Sequence, residues 1–162
     1  MAYRCTMSND PPPRAIRVLV VDDEPLLRTA LGRLLKLAGI EVLSAGNGAE
    51  ALGVLQHEPV DLVLSDVRMP VLDGPGLLRA LAASPSAPPL VFITGYGDLS
   101  EQELLTLGAR AVLGKPVGMG QLVAAVTTWA ATHHAPARGP RAADAPMRAT
   151  LRQSRHDTVK DG

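Results

Sequence analysis

Five polar residues that could do chemistry each follow a short apolar run of the chain. Asp22 and Asp23 come after the first run, and Asp66 comes after the third. Thr94 follows the fourth run, and Lys115 follows the fifth. If these runs are strands of an open parallel sheet, their carboxyl ends share one edge, where ligands usually bind. We therefore expect three carboxylates, a hydroxyl and an ammonium group to converge there.

Three carboxylates at one site repel one another strongly. At an effective dielectric constant near 20, two like charges about 4 Å apart repel by about 4 kcal/mol. A cation must therefore compensate, or one acid must stay protonated. Hard oxygen ligands without a convergent His or Cys favour Mg²⁺ over zinc, and Mg²⁺ also recruits phosphate oxygens. The pattern predicts a magnesium site prepared for a phosphoryl group.

Charge then suggests a role for each residue. Asp66 stands where a strand bends into a loop and can be the nucleophile that accepts the phosphoryl group, as carboxylates do in aspartyl-phosphate chemistry. Asp22 and Asp23 would hold the metal. Lys115 would supply a positive charge to one phosphoryl oxygen, and the Thr94 hydroxyl would donate to another. Because none of these residues is a general base for a foreign substrate, the donor must arrive activated, as a phosphorylated protein or a small acyl phosphate.

The elements that must position these residues alternate along the chain. Short β-branched apolar runs predict five strands, and the helically spaced segments between them predict five helices. This alternation predicts an α/β fold whose parallel sheet is covered on both faces, and it leaves the strand order open. The predicted strands are 16–21, 41–45, 60–64, 90–93 and 111–113, and the predicted helices are about 25–39, 49–57, 75–83, 99–107 and 119–132.

Composition limits the folded part of the chain. Apolar residues make up 46% of the sequence and aromatic residues only 2%, so the core must consist of Leu, Val, Ile and Ala. The change in composition along the chain predicts a disordered leader at 1–14, one domain at 15–133 and a disordered Ala/Pro/Arg-rich tail at 134–162. Residues 16–133 carry eight basic and twelve acidic side chains, a net charge of −4, which argues against nucleic-acid binding.

The sequence also carries signals of location. No apolar run approaches the roughly 18 residues that a membrane span needs. The N-terminus lacks the apolar region of a signal peptide. Cys5 is the only cysteine, so no internal disulfide can form. These features predict a cytoplasmic protein that makes no membrane contact.

With these residues in place, the chain closely resembles the receiver domain of CheY-like response regulators in two-component signalling. Five segments occur in the order and with the spacing of that family, over about residues 16–130. Each segment alone would be weak support, but five together are specific. The matching segments are Val20–Pro25, Asp66–Gly74, Thr94–Asp98, Gly108–Ala109 and Lys115–Pro116.

The resemblance implies a flavodoxin-like, doubly wound sheet of five parallel strands in the order 2-1-3-4-5, with five helices. It implies that a sensor histidine kinase or histidine phosphotransfer protein donates a phosphoryl group to Asp66. It implies that Asp23, Asp66 and the backbone carbonyl of Arg68 ligate Mg²⁺ directly and that Asp22 acts mostly through water. The switch hydroxyl of the family corresponds to Thr94 and its lysine to Lys115, whose peptide bond to Pro116 is often cis in the family.

The chain departs from the family pattern at three places. Val112 stands where the family has Phe or Tyr, so a ring movement driven by Thr94 cannot operate. Val117 stands where Phe often follows the Lys-Pro pair. The stretch from Thr94 to Lys115 is slightly shorter than usual, which should trim the fourth helix. These departures alter the usual signalling face of helix 4, strand 5 and helix 5, but they leave the phosphorylation site intact.

The predicted function is a stand-alone receiver that signals by phosphorylation-dependent binding to an unidentified downstream protein. It is not predicted to be an enzyme beyond its own phosphorylation and dephosphorylation. One alternative is a receiver detached from a hybrid histidine kinase that acts as a phosphate sink. A Mg²⁺-dependent aspartyl phosphatase is another, although such enzymes usually need a second Asp where this chain has Arg68. A scaffold that never uses its site and a tail that binds nucleic acid are the remaining alternatives.

Overall fold

The computed structural model describes residues 14–95 and 97–132. In this part of the chain, five β-strands alternate with five α-helices. The leader up to residue 13, with Cys5, and the tail from residue 133 lie outside the described residues, so the predictions for both stay predictions. In chain order the elements are β1 Arg17–Val21, α1 Pro25–Leu37, β2 Glu41–Ala45, α2 Gly48–His57, β3 Leu62–Asp66, α3 Gly74–Ala82, β4 Leu90–Thr94, α4 Glu101–Thr106, β5 Ala111–Gly114 and α5 Met119–Ala130.

All five described strands are parallel and stand in the order β2-β1-β3-β4-β5. This confirms the predicted fold class and the strand order that the resemblance implied. Val21 pairs with Ser65, and Thr94 pairs with Gly114. The strands therefore end almost level with one another, and the residues that follow them meet at one edge.

Two apolar layers cover the two faces of the sheet. Successive side chains of a strand point to opposite faces, so Leu19 and Val21 join one buried cluster and Val18 and Val20 join the other. The first cluster packs under α2, α3 and α4, and it includes the partly buried Val112. The second packs under α1 and α5 and includes Trp129 at its margin. Burial on both faces explains why the strands read as continuous apolar runs.

Side chains at the helix starts satisfy backbone N–H groups there. Asn47 accepts a hydrogen bond from the amide of Glu50, and Asp73 accepts one from the amide of Gly76. Ser100 and Glu103 form a capping box at the start of α4. This cap makes α4 begin at Glu101, two residues later than predicted, and leaves it only six residues long.

The third strand also begins later than its apolar run suggested. The carboxylate of Asp61 accepts a hydrogen bond from the backbone N–H of Arg17 at 2.8 Å and pairs with Arg14 at 2.5 Å. Asp61 is fully buried and ties the starts of β1 and β3 together. The regular strand β3 begins at the next residue, Leu62. Among the described residues, no helix is long and apolar enough to cross a membrane.

Candidate functional site

Three acidic side chains meet at the carboxyl edge of the sheet. Asp22 follows β1 directly, Asp23 is its neighbour, and Asp66 is the last residue of β3. Each offers a carboxylate oxygen, and these oxygens lie within 4.8 Å of one another. The Nζ atom of Lys115, just beyond β5, lies 3.4 Å from Asp66 Oδ1 and 3.9 Å from Asp22 Oδ2. The structure therefore brings these four predicted site residues together.

Three hydrogen bonds hold Asp22, through its N–H, its carbonyl and its side chain. Its N–H donates to the carbonyl of Ala45 at 3.2 Å, at the end of β2. Its Oδ1 accepts from the N–H of Glu24 at 2.8 Å, and the Arg28 guanidinium donates to its carbonyl. Asp22 is only 1% exposed, whereas Asp23 is exposed. The first acid of the pair is thus held inside the site, and the second faces its opening.

Asp66 and Lys115 are held by the strands that end beside them. The backbone N–H of Val67 donates to Asp66 Oδ1 at 2.8 Å. The backbone N–H of Lys115 donates to the carbonyl of Thr94 at 2.8 Å, which extends the pairing of β4 and β5. The Lys115–Pro116 peptide bond is cis. The ammonium group of Lys115 lies over the two buried carboxylates.

The loop after Asp66 packs closely against its own strand. Gly74 donates its N–H to the carbonyl of Val67 at 3.0 Å. A Cβ atom at Gly74 would lie 2.4 Å from the carbonyl oxygen of Asp66 and 2.6 Å from the ring of Phe92. Only glycine therefore fits there. Val71, in the same loop, is 84% exposed and has a φ of 69°, a conformation that costs a β-branched residue energy.

Burial makes the two inner carboxyl groups hard to ionise. Burial raises the pKa of Asp22, and the charge of Asp66 raises it further, whereas the Glu24 N–H and Lys115 oppose the rise. Burial likewise raises the pKa of Asp66, against the opposing effects of Lys115 and the Val67 N–H. A single ammonium group therefore does not balance the acidic cluster.

The charge and the ligand atoms of the acidic cluster show whether it suits a metal ion. Asp22, Asp23 and Asp66 supply only carboxylate oxygens, which are the ligands that Mg²⁺ prefers. Their charge exceeds that of the nearby Lys115, so a divalent cation would relieve the remaining repulsion. The residues present therefore fit Mg²⁺. Arg68 lies two residues after Asp66, and the role of its carbonyl as a further ligand stays a prediction.

Thr94 does not point its hydroxyl at the acidic cluster. Its Oγ1 donates to Oδ2 of Asp98 at 3.0 Å, and the carbonyl of Gly95 is a second acceptor at 3.3 Å. The same Asp98 oxygen accepts from the N–H of Gly95 at 2.8 Å. The other oxygen, Oδ1, pairs with Nε of Arg68 at 2.8 Å.

Asp98 is a site residue to which the sequence analysis gave no role. It closes the Thr94–Asp98 segment that carried the resemblance, and its position in that segment was the only available signal. After burial, the charge of Asp98 is a smaller cause of the raised pKa of Asp66, so the two carboxylates interact electrostatically. Tyr96, in the same loop, lies outside the described residues.

The fold is a doubly wound α/β sheet with an acidic cluster at its carboxyl edge. The sequence model of the response regulator receiver domain family matches residues 18–127 of this chain. The chain therefore belongs to the response regulator receiver domain family of two-component phosphorelay systems. Receiver domains bind Mg²⁺ at the acidic pocket and interact with histidine kinases or phosphotransfer proteins.

Comparison with individual proteins agrees with the family match. The chain is 40% identical over 149 residues to a protein-glutamate methylesterase/protein-glutamine glutaminase of Myxococcus xanthus, covering 82% of this chain and 43% of that protein. It is 36% identical over 115 residues to a probable chemotaxis protein CheY of Rhizobium etli, covering 68% of this chain and 89% of that protein. The chain thus spans less than half the length of the first relative and most of the second.

A solved structure shows the same architecture with a metal ion. It is the receiver domain of the sensor histidine kinase PA1611 from Pseudomonas aeruginosa, described with a magnesium ion coordinated in the active-site cleft. Its TM-score against this chain is 0.66 at 26% sequence identity, and the match covers 73% of this chain and 99% of that one.

Proposed function

We propose that this receiver domain accepts a phosphoryl group on Asp66 from a phosphorylated histidine of a sensor kinase or phosphotransfer protein. The observation that carries the proposal is the placement of Lys115 Nζ 3.4 Å from Asp66 Oδ1, beside a three-carboxylate cluster that fits Mg²⁺. A carboxylate oxygen of Asp66 attacks phosphorus while the phosphorus–nitrogen bond of the donor histidine breaks. The donor ring carries a proton on its other nitrogen, so it leaves as neutral imidazole, and the product on this chain is an acyl phosphate on Asp66.

The surrounding residues assist by charge. Asp22, Asp23 and Asp66, with the carbonyl of Arg68, are the proposed Mg²⁺ ligands, and the bound ion would offset negative charge on the transferring group. The ammonium group of Lys115 contacts a phosphoryl oxygen as a point charge. No general base is required, because the attacking carboxylate carries no proton when ionised.

The output is proposed to be a change in affinity for a downstream protein. A phosphoryl group on Asp66 offers new oxygen acceptors close to Thr94, and a response of the β4–α4 loop would present a different surface. Val112 is not aromatic, so this response involves no ring movement at that position. An aspartyl phosphatase would need an acid/base residue where this chain has Arg68, whose guanidinium pairs with Asp98 instead.

Labelling with a small acyl phosphate in the presence of Mg²⁺ tests the proposal. Intact-mass spectrometry should show one phosphoryl adduct on the wild-type protein and none on Asp66→Asn. Asp73→Asn is a matched control, because it makes the same chemical change at the start of α3 and asparagine also caps helices well. The control should label like the wild type. Undiminished labelling of Asp66→Asn would remove Asp66 from its proposed role.

A further inference from the structure

The carboxylate of Asp98 contacts residues from two loops at the carboxyl edge of the sheet. One oxygen accepts hydrogen bonds from the hydroxyl of Thr94 and the N–H of Gly95, and the other oxygen pairs with the Arg68 guanidinium. Its side chain is only 9% exposed, so water competes little for these contacts. Arg68 also donates to the carbonyl of Gly97. A single acid with a largely shielded side chain thus ties the loop after Asp66 to the loop after β4.

A hydroxyl group can donate only one proton. While Thr94 donates to Asp98, the hydrogen is not available to an acceptor on Asp66. A phosphoryl group on Asp66 would present charged oxygens, which accept hydrogen bonds about as strongly as a carboxylate does. Asp98 and the phosphoryl group therefore compete to accept the one hydrogen bond that the Thr94 hydroxyl can donate.

The competition has a structural consequence for α4. Asp98 lies two residues before Ser100, whose side chain caps that helix. Gly97, between the two anchored residues Gly95 and Asp98, has a positive φ of 85°, a turn that the loop adopts around the carboxylate. When Thr94 leaves Asp98, the loop that precedes α4 loses one of its tethers.

We propose that Asp98 is a positioning residue that holds the Thr94 hydroxyl in the resting state and is displaced when Asp66 carries a phosphoryl group. This inference rests on the proposed phosphorylation of Asp66. Asp98 and Arg68 together then act as a latch between the β3–α3 and β4–α4 loops. The stronger the contact between Asp98 and Thr94, the less favourable the state in which Thr94 binds the phosphoryl group instead.

Removing the latch should improve binding of a phosphoryl mimic. We expect Asp98→Ala to bind beryllofluoride, in the presence of Mg²⁺, at least about tenfold more tightly than the wild type, since a hydrogen bond to a charged group must no longer be broken. Fluorine NMR titration measures this affinity. Glu101→Gln, which removes an exposed acid at the start of α4, is the matched control and should stay within about twofold.

Simple charge repulsion from Asp98 is the competing explanation, and a double-mutant cycle separates the two. If the effect passes through Thr94, Asp98→Ala should give no gain in a Thr94→Val background. Asp98→Asn keeps an oxygen that can accept from Thr94 and should give a smaller gain than Asp98→Ala. An equal gain with Thr94→Val, an equal gain from Asp98→Asn, or no gain at all would each overturn the latch. Failure of the wild type itself to bind the mimic would instead overturn the proposed function, and the latch with it.

Discussion

Replacing Lys115 with methionine should destabilise the protein mainly when no divalent cation is present. Methionine keeps the length and apolar body of the side chain but removes its charge. Lys115 Nζ lies 3.4 Å from an oxygen of Asp66 and 3.9 Å from one of Asp22. At an effective dielectric constant of about 20, these pairs attract by about 5 and 4 kcal/mol, respectively.

The measurable loss is smaller than these gross attractions. The Lys115 side chain is 25% exposed, so water screens part of its charge, and burying the ammonium group carries a desolvation cost that methionine does not have. The two carboxyl groups can also take up a proton when the ammonium group is removed. We therefore expect a loss of about 3 kcal/mol in the free energy of unfolding, at the lower end of the range for a broken buried pair.

Urea denaturation followed by circular dichroism measures this loss, once with a chelator and once with millimolar Mg²⁺. A cation among Asp22, Asp23 and Asp66 should replace the missing positive charge, so the difference from the wild type should shrink when Mg²⁺ is added. Lys36→Met, at an exposed position in the last turn of α1, is the matched control and should change stability by a few tenths of a kcal/mol. The same loss with and without Mg²⁺ would refute the electrostatic reasoning.

Two further predictions follow from the geometry of the site. In chelator, Asp66→Asn should be more stable than the wild type at neutral pH, because burial raises the pKa of the folded Asp66 carboxyl group and so penalises its charged form. Since the wild type regains this stability as the pH falls through the raised pKa, calorimetry should show the advantage of the variant disappear toward acid; a wild type that is more stable at neutral pH would contradict this. Gly74→Ala should cost about 1–3 kcal/mol by overpacking, because its Cβ meets the Asp66 carbonyl and Phe92. Gly53→Ala, in open space within α2, should instead gain about 0.5–1 kcal/mol, and equal effects of the two substitutions in urea denaturation would count against the packing argument.

The strands were the most predictable part of the fold. Burial on both faces favours apolar residues in the inner strands, and this leaves a clear signal in runs such as Val18–Val21. The element boundaries were less predictable where a single polar contact decides them. The regular part of β3 begins just after Asp61, whose carboxylate holds the N–H of Arg17, and Ser100 delays α4 by capping it. Strand order came from the resemblance, because local patterning carries no information about which strands are neighbours.

The sequence analysis named the site residues that the sheet brings together, although their chemical roles stay predictions. Asp22, Asp66 and Lys115 could be named because each ends an apolar run, and parallel strands end at a common edge. The orientation of Thr94 could not be read in the same way. Its hydroxyl has two acceptors within reach, Asp98 and the carbonyl of Gly95, and the contact with Asp98 depends on a loop conformation that also involves Arg68.

The packing of α5 has a practical consequence for spectroscopy. Trp129 is the sole tryptophan in the sequence, and it sits ten residues along the helix from Met119. At a rise of about 1.5 Å per residue, that places the indole roughly 15 Å beyond the helix end nearest Lys115. Its fluorescence should therefore change when the layer of α1 and α5 unfolds but not when an ion or a phosphoryl mimic binds. We therefore expect Trp129 fluorescence to follow unfolding separately from ligand binding.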